Sequence, residues 1–387
     1  MPSFEKKISI GLIGFGFMGK THAYCVDNLK YFFGSALPFD AKIAGLCTTD
    51  FERTKKLCQD YGIERAYRNE DEMIDDSEID VIDICTPNAF HYETLKKAII
   101  AGKSVYCEKP LCLNLEQTEE IVELSKKTNF SGALYGIVFN NRFMSAIMRA
   151  KQIIDEGKLG RILSFSFSYL HNSCTFPERP AGWKQNFDVC GGGVGFDLGS
   201  HVIDLVHYLC GRIKSVSAHS QIAFPERLGA DGKPWRTNAD EAFYITAVLE
   251  GGACGTITSS KLATGENDGL YFEIYGERGA LKFSLMEPNW LYFYDTETPD
   301  GPIGGYRGFT RIECVGRYPA PAGAFPSPKA STDWLRGHVQ SMYTFLSSVA
   351  EKSHFYPDLD DALAVAKVLD AAYRSASSGS AMTEVLL

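Results

Sequence analysis

Lys7-Ile8-Ser9-Ile10-Gly11-Leu12-Ile13-Gly14-Phe15-Gly16-Phe17-Met18-Gly19 is the stretch whose reading decides the fold. Lys7 to Ile13 reads as a short, fully buried strand, and a helical pattern runs on from the glycines to about Lys30. Between them stands G-x-G-x-x-G in the setting it requires, after a strand and opening a helix. Gly14 permits the tight turn, Gly16 the approach of a pyrophosphate, and Gly19 the packing of helix on strand. The helix start adds free N–H groups and the positive end of the dipole. Phe15 and Met18 belong to the same loop. The expectation is a dinucleotide-binding α/β unit.

Strands and helices go on alternating outward from this loop. Ala41 to Cys47 is a second strand. An acid at its end would hold the ribose hydroxyls of NAD. Thr48 and Thr49 stand there instead, with Asp50 slightly late and Arg53 opening the next helix. Small hydroxyls beside an arginine also suit a 2′-phosphate, so NAD and NADP both stay open. Asp50 can cap the helix or turn back to the ribose. Arg65 to Tyr67 is a brief strand, and Asp80 to Cys85 a good one ending in Thr86-Pro87-Asn88, with His91 close behind. Pro87 forces an extended predecessor, and Asn88 is placed to cap a helix over Ala89 to Ala101. Thr86, Asn88 and His91 sit at a strand's carboxyl end, where a bound cofactor is touched. Lys103 to Cys107 is the fifth strand, stopped by Glu108-Lys109-Pro110. A helix from Leu115 to Thr128 and a strand from Gly132 to Phe139 complete six. Repeated β-α predicts a doubly wound parallel sheet covered on both faces. Ligands bind beyond the carboxyl ends of such strands, so Glu108 and Lys109 face that crevice.

The pattern changes near Asn140, which divides the 387 residues into a first domain over 1–140 and a second over 141–387. A helix runs from Ser145 to Glu156. Leu163, Phe165, Phe167 and Tyr169 then alternate with serines, a period of two. Further strands follow at Ile213 to Ile222, Ala242 to Leu249, Ala253 to Ser260, Gly269 to Tyr275, Ala280 to Ser284 and Trp290 to Tyr294. These predict an α+β domain built on a large, mostly antiparallel open sheet. Gly301 to Pro328 reads as a long loop, followed by helices near 333–352 and 358–376, the last of which can pack back on the first domain. Within this domain, Gly191-Gly192-Gly193-Val194-Gly195 leads into a helix carrying Asp197, His201 and Asp204 on one face. Two acids and a histidine behind a glycine loop point to a site. Asp-x-x-x-His-x-x-Asp could also face a metal, but no cysteine or further histidine completes a familiar set, and no metal is expected.

Composition narrows the function classes. Hydrophobic residues make up 45%, charged residues 22%, and the net charge is −9. No dense Lys/Arg run exists, so neither nucleic acid nor an anionic membrane is an expected partner. No apolar stretch approaches the ~18 residues of a membrane span. The amino-terminal apolar run meets a glycine turn where a signal peptide needs a cleavage site. The 11 cysteines are scattered without Cys-x-x-Cys pairs, as suits reduced, buried thiols. A cytoplasmic protein is expected.

Gly14-x-Gly16-x-x-Gly19, Thr86-Pro87-Asn88, Glu108-Lys109-Pro110 and the stretch from Gly192 to Asp204 together resemble the Gfo/Idh/MocA oxidoreductase family. That family includes glucose–fructose oxidoreductase and inositol dehydrogenases. Gly276-Glu277-Arg278-Gly279-Ala280-Leu281 looks like its sugar dehydrogenases of levoglucosan or pyranoside type. The resemblance covers essentially the whole chain and implies a Rossmann domain followed by a substrate-binding domain. It implies that Lys109, Asp197 and His201 surround the hydroxyl that is oxidised, and that Trp183 and Lys184 lie near the cofactor. It also implies a homo-oligomer, dimer or tetramer. The chemistry agrees. Oxidation of a secondary hydroxyl of a sugar, glycoside or inositol needs a base and a positive group for the developing alkoxide. His201 suits the first role and Lys109 the second. Asp197 can orient His201 or bind a hydroxyl. Tyr169 and His171, at a strand's end, are candidates for substrate contact. Two alternatives stay open: an NAD-dependent glycosidase working by transient oxidation, and a dinucleotide-sensing regulator without catalysis.

Overall fold

The computed structural model describes residues 6–128, 132–229, 231–321, 323, 325–327 and 329–386. The first five residues of the amino-terminal stretch, and positions 322, 324 and 328 of the expected long loop, lie outside the described residues. The chain divides into two compact units. The first comprises Met1–Asn140, Ala320–Pro326 and Leu335–Ala364, and the second Asn141–Pro319, Ser327–Trp334 and Val365–Leu387. The expected second domain over 141–387 therefore lends segments to the first unit.

In the first unit the parallel strands are β1 (Lys7–Ile13), β2 (Asp40–Cys47), β3 (Arg65–Tyr67), β4 (Val81–Ile84), β5 (Ser104–Cys107) and β6 (Tyr135–Ile137). The helices are α1 (Phe17–Phe33), α2 (Phe51–Tyr61), α3 (Glu70–Ile74), α4 (His91–Ile100) and α5 (Leu115–Thr128). The sheet order is β3-β2-β1-β4-β5-β6, the doubly wound dinucleotide-binding order with its switch point between β1 and β4. The mostly apolar runs of β1 and β4 follow from burial on both faces, with Asp83 the buried exception in β4. β6 covers only Tyr135–Ile137 of its expected span of 132–139, and just beyond it the Val138 N–H still donates to the Cys107 carbonyl oxygen at 2.9 Å. Asn88 does not cap a helix: Asn88–Phe90 form a 3₁₀ turn, and α4 starts at His91 with no side-chain cap. Helix α9 (Trp334–Glu351) belongs almost wholly to this unit. There Tyr343 stacks on Phe33 with ring centroids 3.8 Å apart. The Tyr106 hydroxyl is 2.6 Å from the Ser341 hydroxyl. The last helix, α10 (Leu359–Ser377), passes from the first unit to the second at Ala364.

The second unit holds α6 (Ser145–Asp155), β7 (Ile162–Leu170), the short α7 (Phe187–Cys190), α8 (Ser200–Leu209) and β8 (Ile213–Gln221). A small hairpin follows, β9 (Glu226–Leu228) with β10 (Pro234–Arg236), and no sequence signal led to it. Then come β11 (Ala242–Leu249), β12 (Cys254–Ser260), β13 (Gly269–Gly276), β14 (Gly279–Ser284), β15 (Trp290–Asp295), β16 (Thr310–Glu313) and β17 (Thr383–Glu384). The sheet has nine strands in the order β16-β15-β14-β13-β7-β12-β11-β8-β17. Every pair is antiparallel except β7 with β12. The expected loop from Gly301 to Pro328 therefore contains a strand, β16, whose partner is β15. On one face Phe167 stacks on Phe272 at 5.2 Å, and Phe272 on Phe283 at 5.3 Å. Helix α6 packs on β14 and β15, and α8 on β7 and β12. Phe165, Phe167 and Tyr169 are buried as the alternation predicts, whereas Leu163 at the strand's start is exposed.

Candidate active site

The glycine loop of the first unit has the geometry that a bound phosphate needs. Gly14 has φ +92°, and a Cβ there would meet the Cys85 carbonyl oxygen at 2.7 Å. A Cβ at Gly19 would lie 2.2 Å from the Gly14 carbonyl oxygen, so α1 can pack this closely only through glycine. At Gly16 the same position is open. Gly16 is the N-cap of α1, with no side-chain cap and no acid in the first turn. This helix start is therefore left for an anion. Thr86 Oγ1, just beyond β4, is buried with no hydrogen-bond partner among the described residues. An orphaned hydroxyl beside an uncapped glycine-rich helix start fits a dinucleotide. Met18 is half-buried and Phe17 exposed at the loop's rim, while Phe15 is turned inward against Tyr61.

At the end of β2, Thr48 Oγ1 and Thr54 Oγ1 are 2.8 Å apart. Asp50 takes its capping role and accepts the Arg53 N–H at 3.1 Å. Thr49 and Arg53 are exposed. Asn88 is buried beyond β4. His91 is not available to a cofactor as expected. It is fully buried, its Nδ1 3.0 Å from the Pro110 carbonyl oxygen and its Nε2 2.9 Å from that of Thr86. The ring ties the turn after β4 to the turn after β5. Glu108 is likewise turned inward and buried, with Oε1 3.2 Å from His22 Nε2. Burial works against the Glu108 carboxylate. The His22 contact, Lys109 and His338 outweigh burial and hold the acid down at about 2. Lys109 follows directly, on the turn that β5 delivers.

The second unit assembles its polar groups around the glycine loop before α8. Asp240 Oδ1 and Oδ2 accept the N–H groups of Gly193 and Gly195 at 2.8 and 2.9 Å, and the Tyr373 hydroxyl donates to Oδ1 at 2.5 Å. A Cβ at Gly193 would meet the Asp240 carbonyl oxygen at 2.0 Å. From this clamp, Gly195–Gly199 turn as a wide π-type turn into α8. Asp197 accepts from Lys184 Nζ at 2.8 Å and lies 2.7 Å from Lys261 Nζ. Asp204 is a structural residue, paired inside the unit with Arg142 at 2.5 Å. His201 is buried, its ring 6.0 Å from that of Tyr169. The Tyr169 hydroxyl donates to Asp268 Oδ1 at 2.7 Å, and His171 Nε2 is 3.2 Å from the same oxygen. Trp183 is exposed beside Lys184.

Two residues of this cluster escaped the sequence reading. Lys261 directly follows β12 and is buried. Burial opposes its charge, but Asp197 outweighs burial and raises its pKa. Asp268 stands just before β13. Burial opposes its charge as well, and His171 and Tyr169 override it to lower the pKa. Both lie far along the chain from the residues they serve, and a lone Lys or Asp between strands carries no local signature.

An uncapped glycine-rich helix start at the switch point of this sheet is the mark of an NAD-binding oxidoreductase. Residues 8–131 match the family model described as "Oxidoreductase family, NAD-binding Rossmann fold", and residues 147–282 match the GFO/IDH/MocA C-terminal domain. The chain belongs to the Gfo/Idh/MocA oxidoreductase family. It is 29% identical to levoglucosan dehydrogenase of Pseudarthrobacter phenanthrenivorans over 97% of each chain. It is 27% identical to myo-inositol 2-dehydrogenase of Thermotoga maritima over 70% of this chain and 74% of that one. Among solved structures it is similar to levoglucosan dehydrogenase in complex with NADH and levoglucosan. That likeness has a TM-score of 0.92 and 28% identity, and covers 98% of this chain and 100% of the other. No helix among the described residues is long and apolar enough to cross a membrane.

Proposed function

We propose that this protein oxidises a secondary hydroxyl of a sugar, glycoside or inositol with NAD+, and that Lys109 and His201 serve the reacting hydroxyl. The observation that carries the reading is the polar cluster of the second unit. Tyr169, beside His201, holds a carboxylate, Asp268, whose Oδ2 has no partner among the described residues. A half-exposed carboxylate with one oxygen engaged and one open suits the hydroxyls of a polyol. The kinship with levoglucosan and myo-inositol dehydrogenases supports the same substrate class.

When bound, NAD+ supplies the hydride acceptor. His201 takes the hydroxyl proton, since imidazole is the side chain most suited to exchanging a proton near neutral pH. Lys109 stabilises the developing alkoxide by its charge. Asp197, held by Lys184 and Lys261, accepts from a substrate hydroxyl or steadies His201. Tyr169, His171 and Asp268 orient the ring through its other hydroxyls. The protein works as a homo-oligomer and in the cytoplasm in this reading.

The test is NADH and NADPH formation on a panel of free sugars, anhydrosugars, glycosides and inositols, each with NAD+ and with NADP+. Steady NADH formation with one class supports the reading, and a preference for NADP+ corrects the cofactor. Release of an aglycone without net NADH replaces it with a redox-assisted glycosidase. Tight dinucleotide binding with neither product removes the dehydrogenase reading for these substrates.

A further inference from the structure

Among the buried ionisable groups that the mechanism above does not use is His22. His22 lies on α1, three residues after Gly19, and is 1% exposed. Its Nδ1 is 2.9 and 3.0 Å from the two carboxylate oxygens of Asp83, a β4 residue. Its Nε2 is 3.2 Å from Glu108 Oε1, an ion-pair contact rather than an aligned hydrogen bond. The other oxygen, Glu108 Oε2, accepts the Lys109 backbone N–H at 3.2 Å. A single path of polar contacts thus runs from the cofactor-loop helix to the turn that carries Lys109. It crosses the carboxyl ends of β4 and β5, neighbouring strands of the sheet.

The surroundings keep this path closed. Cys85 Sγ is 3.2 Å from His22 Nδ1. The ring of Tyr106 on β5 is 5.5 Å away, its hydroxyl engaged with Ser341. The ring of His338 on α9 is 6.2 Å away, and Cys25 lies on the same helix as His22. Burial disfavours a charge on His22, yet Asp83 and Cys85 outweigh it and leave the pKa well above 6.5. Burial and the His22 charge together push His338 down to about 3, so it does not compete as a cation. The balance is simple. Two carboxylates and one imidazolium leave one net negative charge beside Lys109. Without the imidazolium there would be two negative charges facing each other in a buried space.

We propose that His22 is a positioning residue for hydride transfer: its ring, gripped by Asp83, holds Glu108 in place and so fixes the turn from which Lys109 reaches the substrate hydroxyl. The role rests on the reading of Lys109 given above. It makes the first turns of α1 serve two ends, binding phosphate through Gly16 and orienting the catalytic lysine through His22.

The experiment compares the holoenzyme with His22→Gln and His22→Gln/Asp83→Asn, using NAD+ and the best substrate of the panel. Misplacing a reacting group from outside the chemistry costs on the order of a hundredfold in rate. His22→Gln is therefore expected to lose kcat to that extent, with KM for substrate and NADH affinity little changed. The double variant restores the original net charge and should recover at least about tenfold of kcat, because coupled neighbours are non-additive. Unchanged kcat in His22→Gln, or a double variant no better than the single one, overturns the proposal. A second measurement needs neither turnover nor a variant. In the NADH complex labelled with 15N-histidine, an imidazolium with both nitrogens protonated should persist across the neutral pH range, where an ordinary histidine of pKa ~6.5 gives up its proton. A ring that becomes neutral in this range overturns the clamp. If the wild-type enzyme is silent on the whole panel, the functional reading fails while the 15N spectrum still decides the clamp.

Discussion

Asp268 shows how much one carboxylate can be asked to do in this site. Tyr169 and His171 both engage Oδ1, which leaves Oδ2 open to a hydroxyl donor. A hydrogen bond to a charged group contributes about 1.5–3 kcal/mol, so Asp268→Asn should lower kcat/KM by roughly 10- to 150-fold. The loss should fall mainly on KM, since the acceptor binds ground state and transition state alike. Steady-state kinetics on the preferred sugar check this, and a loss confined to kcat would place Asp268 with the chemistry instead. Lys109→Ala should behave the other way. Removing the charge proposed to meet the alkoxide should cost ~2.7–4 kcal/mol, about 100- to 1000-fold in kcat. NADH affinity, measured by fluorescence titration, should stay near that of the wild type. Unchanged turnover would remove Lys109 from the mechanism. Residues of this kind were unequally legible. Lys109, Asp197 and His201, the residues proposed for the chemistry, stand inside recognisable motifs. Asp268, Lys261 and His22 do not, because each acts on a partner distant in sequence, and only the folded sheets bring the pairs within 2.7–3.2 Å.

Elements explain where the reading along the chain succeeded. β1, β2, β4 and β5 are buried on both faces, so their apolar runs are unmistakable. β16 escaped because its pattern of exposed Thr310, Arg311 and Glu313 carries no alternation. It is a strand only through β15. The wide turn at Gly195–Gly199 escaped for another reason. Asp240, from a different part of the chain, satisfies the glycine N–H groups and so permits an irregular start that no local spacing predicts. Helix α9 brings a testable consequence of burial. His338 is 3% exposed, and burial first, then the charge of His22, lower its pKa from 6.5 to about 3. Unfolded, the ring titrates near 6.5 and the chain takes up a proton that the fold refuses. The stability is therefore present above 6.5 and drains away as pH falls towards 3. At about pH 4.5, before most carboxyls titrate, the loss is roughly 2–3 kcal/mol at ~1.4 kcal/mol per unit. Urea unfolding of the wild type and His338→Asn at neutral and mildly acid pH checks it. The variant should lose less stability on acidification, and parallel curves would show that His338 does not titrate in this window.

At the scale of the whole molecule, the nine-stranded sheet poses the remaining question, since its two faces differ. Ala247, Gly255, Phe165, Ile274 and Leu281 form a row across neighbouring strands on the covered side, most of it buried. One position along, Ser217, Thr246, Thr256, Ser166, Glu273, Lys282, Tyr292 and Arg311 form a second row across eight strands, from β8 to β16. These residues are exposed or half-buried, and Tyr244, Tyr271 and Tyr275 flank them. With strands ~4.8 Å apart, eight of them span about 35 Å, and six or so residues of length add about 20 Å. The area is roughly 700 Å², close to the ~800 Å² per partner of a stable interface. Short hydroxyl side chains let two such sheets approach, and tyrosines supply contact area at low entropic cost. A second copy of the chain is the occupant that the family resemblance implies, since cyclic dimers bury the same patch on both subunits. The protein should therefore run as a homo-oligomer by light scattering at micromolar concentration. Thr246→Arg/Thr256→Arg places two long cations within the row, where a second copy would have to bury them. That variant should shift to monomer with its unfolding midpoint nearly unchanged, because both positions are exposed in the single chain. An oligomer that survives the double substitution would move the interface off this face, and a monomeric wild type would end the proposal.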